Sequence, residues 1–181
     1  MTLPEITFAN VLDYIGTLAF AISGIRLAST KNFDWFGAYV VGLATAIGGG
    51  TVRDLMLDVP VFWMRNGIYF LITLLALLLV VLFGKVVVRQ KYTWFIFDTI
   101  GLGMFAVIGI EKTLGVGFPF WVAIVMGSVT GAGGGVIRDV FLNEVPLIFR
   151  AEIYAVACVL GGLAYWICNL CGWGNVPCGL V

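Results

Sequence analysis

The sequence predicts an all-α integral membrane protein: a single transmembrane domain over residues 1–181, built from two inverted three-helix repeats. Three observations predict it. The first is composition. Hydrophobic residues make up 61% of the chain, charged residues only 11%, and the mean hydropathy is +1.08. A soluble domain carries about 25% charged residues, so there is too little polar surface here to cover a globule in water. The second is the alternation of six long apolar stretches with short connections that hold most of the charge. The third is repetition. Shifted by 85 residues, positions 13–57 match 98–142 with 18 identities in 45 and no gap.

A spanning helix needs about 20 mostly apolar residues. The stretches that qualify are 8–28, 36–58, 66–84, 94–112, 118–142 and 149–169. Glu5 is the only charge before Asp13, so the first reads as a retained helix rather than a cleaved leader. The connections are Lys31 to Asp34, Asp58 to Arg65, Lys85 to Lys91, Glu111-Lys112 and Asn143 to Arg150. Repeat one is 8–84 and repeat two is 94–169. The tail, 170–181, is glycine-rich and too short to span. Tryptophans 35, 63, 94, 121 and 173 lie at segment ends, as expected of an interfacial aromatic belt.

The shift places Asp13 on Asp98, Gly16 on Gly101, Gly24 on Gly109, Thr45 on Thr130, Gly48-Gly49-Gly50 on Gly133-Gly134-Gly135, and Arg53-Asp54 on Arg138-Asp139. Three spans per repeat is an odd number, so the second copy enters the membrane from the opposite face. Seven of the ten Lys and Arg residues fall on the 1–2, 3–4 and 5–6 connections or the helix ends beside them. The excess of positive charge puts these connections in the cytoplasm and the N-terminus outside.

The glycine triplets are the candidate pathway. Each glycine costs a helix about 1 kcal/mol relative to alanine, so three in a row predict a break in the second and fifth helices. A break in a bilayer survives only where protein or a wet cavity satisfies the bared backbone. The alternative is close helix packing through small residues. Thr45, Thr51, Ser128 and Thr130 flank the triplets. They either line the pathway with them or bond the i−4 carbonyl of their own helix. Arg53-Asp54 and Arg138-Asp139 follow one turn later, as gating pairs or as interfacial caps. Asp13 and Asp98 recur near the start of the first and fourth helices; their recurrence points to partners inside the bundle, such as an arginine of the other half. Glu111-Lys112 breaks the repeat, because the first copy has Arg26-Leu27 there.

Soluble-type chemistry is poorly served. Without histidine there is no His-based triad, zincin or haem ligation. Cys168-x-x-Cys171 has no second ligand pair, so no metal is expected. Gly131-Ala-Gly133-Gly-Gly135 follows no strand of a βαβ unit, and no Gly-Lys-[Ser/Thr] phosphate loop is present. No catalytic residue and no cofactor are expected. Zero net charge argues against a nucleic-acid partner; the lipid bilayer is the partner that composition implies.

The doubled Gly-Gly-Gly-x-x-Arg-Asp motif resembles the bacterial branch of the trimeric intracellular cation (TRIC) channel superfamily, which also carries the name of a glycine-transporter domain. Asp13-x-x-Gly16, Ala21-Ile-Ser-Gly24, Pro60-x-Phe62-Trp63 and Arg150-x-Glu152-x-Tyr154-Ala155 support the likeness, which covers roughly 10–168. The resemblance implies a bacterial inner-membrane homotrimer with one pore per subunit, passing monovalent cations and chiefly potassium. It also implies second and fifth helices that bend at Gly48, Gly49, Gly50, Gly133, Gly134 and Gly135. The family has a seventh helix, for which this chain has no residues, so truncation is an expectation. Two functions follow. One is a potassium-permeable channel in which backbone and hydroxyl oxygens replace water, with Arg53, Arg138 or both occluding the path. The other is a carrier of glycine or another small neutral solute between facing half-helices.

Overall fold

The computed structural model describes residues 8–83, 93–150 and 152–170, and all regular structure among them is helical. The helices are α1 (Phe8–Thr30), α2 (Trp35–Met56), α3 (Phe62–Arg65), α4 (Ile68–Leu82), α5 (Thr93–Gly115), α6 (Phe120–Phe141), α7 (Leu147–Arg150) and α8 (Glu152–Leu170). The expected connection with Lys85, Arg89 and Lys91 lies outside the described residues, as do the tail beyond Leu170, Cys171, Cys178 and Trp173. α1, α2, α5 and α6 are long and apolar enough to cross a membrane, and Ile68–Leu82 is a shorter apolar helix. The chain is thus a multi-pass membrane protein.

Four long helices make the core. α1 and α5 pack on each other, α2 packs on α6, and each pair closes on the other through α1·α2 and α5·α6 contacts. Phe20 and Phe105, matched by the 85-residue shift, are both buried and pack with ring centroids 5.1 Å apart and ring planes tilted by 54°. A Cβ on Gly16 would meet Phe105 at 3.0 Å, and one on Gly101 would meet Phe20 at 2.7 Å. These contacts are reciprocal: residue i touches partner j, and the counterpart of i touches the counterpart of j.

The helices do not break at the glycine triplets. α2 is one 22-residue α-helix through Gly48, Gly49 and Gly50, and α6 is another through Gly133, Gly134 and Gly135. Gly117 is the only glycine with positive φ among the described residues, so none of the six takes the left-handed conformation. The expected break is corrected by what the glycines touch. A Cβ on Gly49 would sit 2.1 Å from the Thr130 carbonyl oxygen, and one on Gly134 would sit 2.2 Å from that of Thr45. The two helices therefore meet backbone to backbone. A helix propensity cost of about 1 kcal/mol per glycine is outweighed by the several kcal/mol that each unbonded peptide group would cost in lipid. From Thr45 to Gly49 the chain advances along α2 while its contact retreats from Gly134 to Thr130 along α6, so the helices run in opposite senses across the contact.

Connections end the helices in matched ways. α2 and α6 both close through a non-glycine residue in the left-handed region, Asp58 (φ 52) and Asn143 (φ 53). The Val59 N–H bonds the Asp54 carbonyl at 3.0 Å and the Glu144 N–H bonds the Asp139 carbonyl at 2.8 Å, the six-to-one bond of a Schellman end. The α1–α2 turn meets the α6–α7 turn through Lys31 and Glu144 (2.5 Å), which places both at one end of the bundle. Lys112 at the end of α5 bonds Asp54 at the end of α2, which places these at the opposite end.

Candidate functional site

Two charged clusters, one at each end of the bundle, hold the candidate residues. The first is built around Asp54, fully buried. Its Oδ1 accepts from Arg53 Nε (2.8 Å) and Lys112 Nζ (2.7 Å), and its Oδ2 accepts from Lys112 Nζ (2.9 Å) and the Phe62 backbone N–H (2.9 Å). The Schellman end of α2 turns the chain back, so that Phe62, eight residues on, opens α3 against this carboxylate. A buried carboxylate must be paired, and here each oxygen has at least two donors. The Phe62 ring lies under both cations, 5.8 Å from Arg53 Cζ and 5.9 Å from Lys112 Nζ.

This cluster faces a cavity of about 480 Å³ lined by Asn10, Asp13, Arg53, Phe62, Tyr69, Glu111 and Lys112, with Ala9 and Ile108. Tyr69 donates its phenol hydroxyl to Asp13 Oδ2, and Tyr165 donates to Glu111 Oε1 at 3.4 Å. Both carboxylates are thus held by neutral donors, whereas both cations lean on Asp54. Asp13, Asp54 and Glu111 against Arg53 and Lys112 leave a formal balance of one negative charge. The arrangement offers carboxylate, phenol and amide oxygens to a cation in a half-enclosed space.

The second cluster surrounds Arg138, whose side chain is fully buried. Arg138 Nε bonds Asp139 Oδ1 (2.8 Å), and Nη1 bonds Asp98 Oδ1 and Ser23 Oγ (2.9 Å). Ser23 Oγ also donates to the Trp94 carbonyl (2.9 Å), and the Trp94 ring lies 5.4 Å from Arg138 Cζ. Asp139 Oδ2 caps α7 through the Leu147 N–H at 2.9 Å, just as Asp54 caps α3. The expectation that Asp98 pairs with an arginine of the other half is corrected: Arg138 belongs to the same repeat, and Ser23 is the contribution from the other. Asp13 likewise meets Tyr69 of its own repeat.

The remaining candidates lie along the α2–α6 contact. Thr45, Thr51, Ser128 and Thr130 each donate to the i−4 carbonyl: Val41 (2.6 Å), Ile47 (2.7 Å), Ile124 (3.0 Å) and Met126 (2.5 Å). Thr51 also accepts from Trp63 Nε1 at 3.0 Å. Thr45 and Thr130 are buried where a Cβ on Gly24 or Gly109 would touch their hydroxyls, at 2.5 and 2.6 Å. Gly48 and Gly50 face the Ile137 and Phe62 side chains, and Gly135 is buried in α6. None of the triplet residues lines the 480 Å³ cavity. Sequence reasoning left Tyr69, Phe62, Ser23 and Trp94 out of the site, and marked Glu111-Lys112 as an interfacial ion pair or a headgroup or gating contact without placing it there. The signal for Lys112 was present, in the break of the repeat at Glu111-Lys112.

Comparison with known proteins places this geometry among relatives. The family model described as glycine transporter matches residues 10–85 and 95–169, one copy per repeat. The UPF0126 inner membrane protein YadS of Escherichia coli (strain K12) is 42% identical over 160 residues, 85% of this chain and 75% of that one. The UPF0126 membrane protein YvgT of Bacillus subtilis (strain 168) is 41% identical over 170 residues, 92% of this chain and 82% of that one. Among solved structures, the TRIC trimeric intracellular cation channel orthologue from Rhodobacter sphaeroides superposes with a TM-score of 0.89 at 34% identity, covering 94% of this chain and 89% of that one. A second, from work on conductance through TRIC cation channels, superposes with a TM-score of 0.83 at 35% identity, covering 97% and 86%.

Proposed function

The chain belongs to the glycine transporter family within the TRIC superfamily, and from that membership we propose that it is a cation channel whose pathway enters through the Asp13–Glu111 cavity. The observation that carries the reading is the pairing pattern in that cavity. Its cations are bound to Asp54, while among the described residues the hydrogen bonds to Asp13 and Glu111 come from tyrosine hydroxyls, which leaves their oxygens fit to replace part of an entering ion's water. The permeant species is a monovalent cation, with potassium expected. The triplets serve the pathway indirectly: they let α2 and α6 cross at contact distance, so the charged ends flank one crossing instead of two separate helices. The residues proposed at the triplets act as the crossing, and Arg53-Asp54 and Arg138-Asp139 as the charged groups at its two ends.

Three further proposals accompany this one. The halves are inverted repeats, supported by the reciprocal contacts and by the opposite senses of α2 and α6. The assembly is a homotrimer in a bacterial inner membrane, supported by the trimeric description of the Rhodobacter sphaeroides structure and the inner-membrane description of YadS. The α1–α2 and α6–α7 turns face the cytoplasm, supported by their shared end and their positive charge. Purified protein in planar bilayers tests the function. Unitary cation currents that shrink when Asp13→Asn and Glu111→Gln are combined are expected. Saturable glycine uptake with no unitary steps overturns the reading.

A further inference from the structure

We propose that the hydroxyl of Thr17 is an inner binding step for the permeating cation, one helical turn beneath the Asp13–Glu111 cavity. This rests on the channel reading above and adds a residue to the path between the cavity and the α2–α6 crossing.

The orientation of the side chain is the first observation. A helical threonine divides between two rotamers because one of them lets its hydroxyl bond a carbonyl of the preceding turn. That bond is the common state here. Among the described residues, eight other helical serine and threonine hydroxyls donate to the carbonyl four residues back, at 2.5–3.0 Å. Ser23 departs from this pattern, but it donates to the Trp94 carbonyl and accepts from Arg138 instead. Thr17 departs with no such compensation. The residue is fully buried, and its Oγ1 has no hydrogen-bond partner among the described residues. An idle buried hydroxyl costs about tenfold or more in a folding equilibrium. Turned away from its own backbone, this one presents its lone pairs to a ligand.

Its position says which ligand. Asp13 lies four residues before Thr17, so the two share a stripe of α1, about 6 Å apart along the axis. Asp13 lines the cavity and Thr17 does not, so Thr17 lies beyond the cavity wall. Three residues further along α1, Phe20 marks the level of the crossing: its Cδ2 is 3.7 Å from the place a Cβ on Gly134 would take. Thr17 therefore stands between the charged cavity and the backbone contact of α2 with α6. The next residues of that face, Phe20 and Ala21, are buried and apolar. A cation leaving Asp13 loses water on the way inward, and Thr17 is the polar side chain on α1 placed to replace part of it. The step belongs to one repeat only. Under the 85-residue shift Thr17 falls on Leu102, which is buried in the apolar core.

The test uses the full chain with its native cysteines replaced by serine, and the probe is the silver ion, a monovalent cation that reacts with thiols. Thr17→Cys in liposomes is expected to take up silver but to resist a bulky charged methanethiosulfonate, as read by mass spectrometry. Asn10→Cys, in the cavity, is expected to react with both reagents, and Leu102→Cys with neither. In planar bilayers, Thr17→Val keeps the shape and removes the hydroxyl; unitary potassium conductance is expected to fall about fivefold, the loss of one hydrogen-bond-sized interaction. Thr17→Ser keeps the hydroxyl and is expected to keep the conductance, which a space-filling role would not require. Thr17→Cys inert to silver, or wild-type conductance in Thr17→Val, overturns the inner step while leaving the channel reading intact. Absence of unitary currents from the unmodified chain overturns both.

Discussion

Replacing Gly49 with alanine distinguishes two physical roles for the triplet by the sign of its effect. If the triplet marked a broken helix, alanine would mend it and stabilise the protein by about 1 kcal/mol. The structure predicts the reverse. A methyl at position 49 would lie 2.1 Å from the Thr130 carbonyl oxygen and 3.1 Å from Gly134 N, and both are backbone atoms of a packed helix. Ordinary contact needs more than 3.4 Å, so α2 and α6 must separate by over an ångström or tilt. Overpacking of this kind costs about 1–3 kcal/mol, more when the obstacle is backbone, and it exceeds the propensity gain. The net expectation is a loss of about 1–2 kcal/mol, with Gly134→Ala alike, because its methyl would lie 2.2 Å from the Thr45 oxygen. Gly103 is the control. It is helical and exposed, and a Cβ there meets nothing within 4 Å, so Gly103→Ala should gain about 0.5–1 kcal/mol. Equilibrium unfolding in mixed micelles, read by tryptophan fluorescence, measures all three. A Gly49→Ala protein as stable as Gly103→Ala would refute the backbone-contact account of the triplet.

Other predictions follow from the polar clusters. Asp98→Leu removes one of the two carboxylates on Arg138 and should cost about 1–3 kcal/mol, because Asp139 still holds Nε at 2.8 Å; micelle unfolding of the variant checks it. Tyr69→Phe removes the neutral donor from Asp13 and should alter ion entry while leaving the oligomer intact, which paired bilayer currents and crosslinking would show. Asp54→Asn weakens the hold on both Arg53 and Lys112 and should reduce stability more than Asp13→Asn, as thermal melting in detergent would report. At the Lys31 end, Lys31 first and Arg150 second hold the Glu144 carboxyl below its ordinary value of 4.5. Its contribution is therefore complete above that value and fades as pH falls through the lowered folded one. Melting curves taken against pH should lose that acid-side slope in Glu144→Gln.

Much of the architecture was legible. The six apolar stretches became α1, α2, α4, α5, α6 and α8, because a 20-residue apolar run admits few alternatives in a bilayer. The repeat was legible because both copies kept the residues that make contact: Gly24 on Thr45 and Gly42, Gly109 on Thr130 and Gly127. The short helices α3 and α7 were not, since each depends on an aspartate eight residues earlier that reaches its first N–H only after the chain has turned. The pairings of Lys112 and Ser23 were not legible for a similar reason. Each acts on a residue far away in the chain, 58 and 115 positions distant; the break in the repeat marks Lys112 without saying what it meets, and Ser23 carries no local pattern.

Sequence alone determined that this chain crosses a membrane several times and contains itself twice, because hydropathy and an 85-residue periodicity are properties of the string. The tertiary structure decided what the glycines are for. Propensity counts the cost of a missing side chain within one helix, but only the second helix reveals what that missing side chain lets in. It also decided which charges pair: Asp13 and Asp98 are matched in sequence, yet one meets a tyrosine and the other an arginine. The choice turns on neighbours drawn from other helices, which no spacing along a single helix encodes.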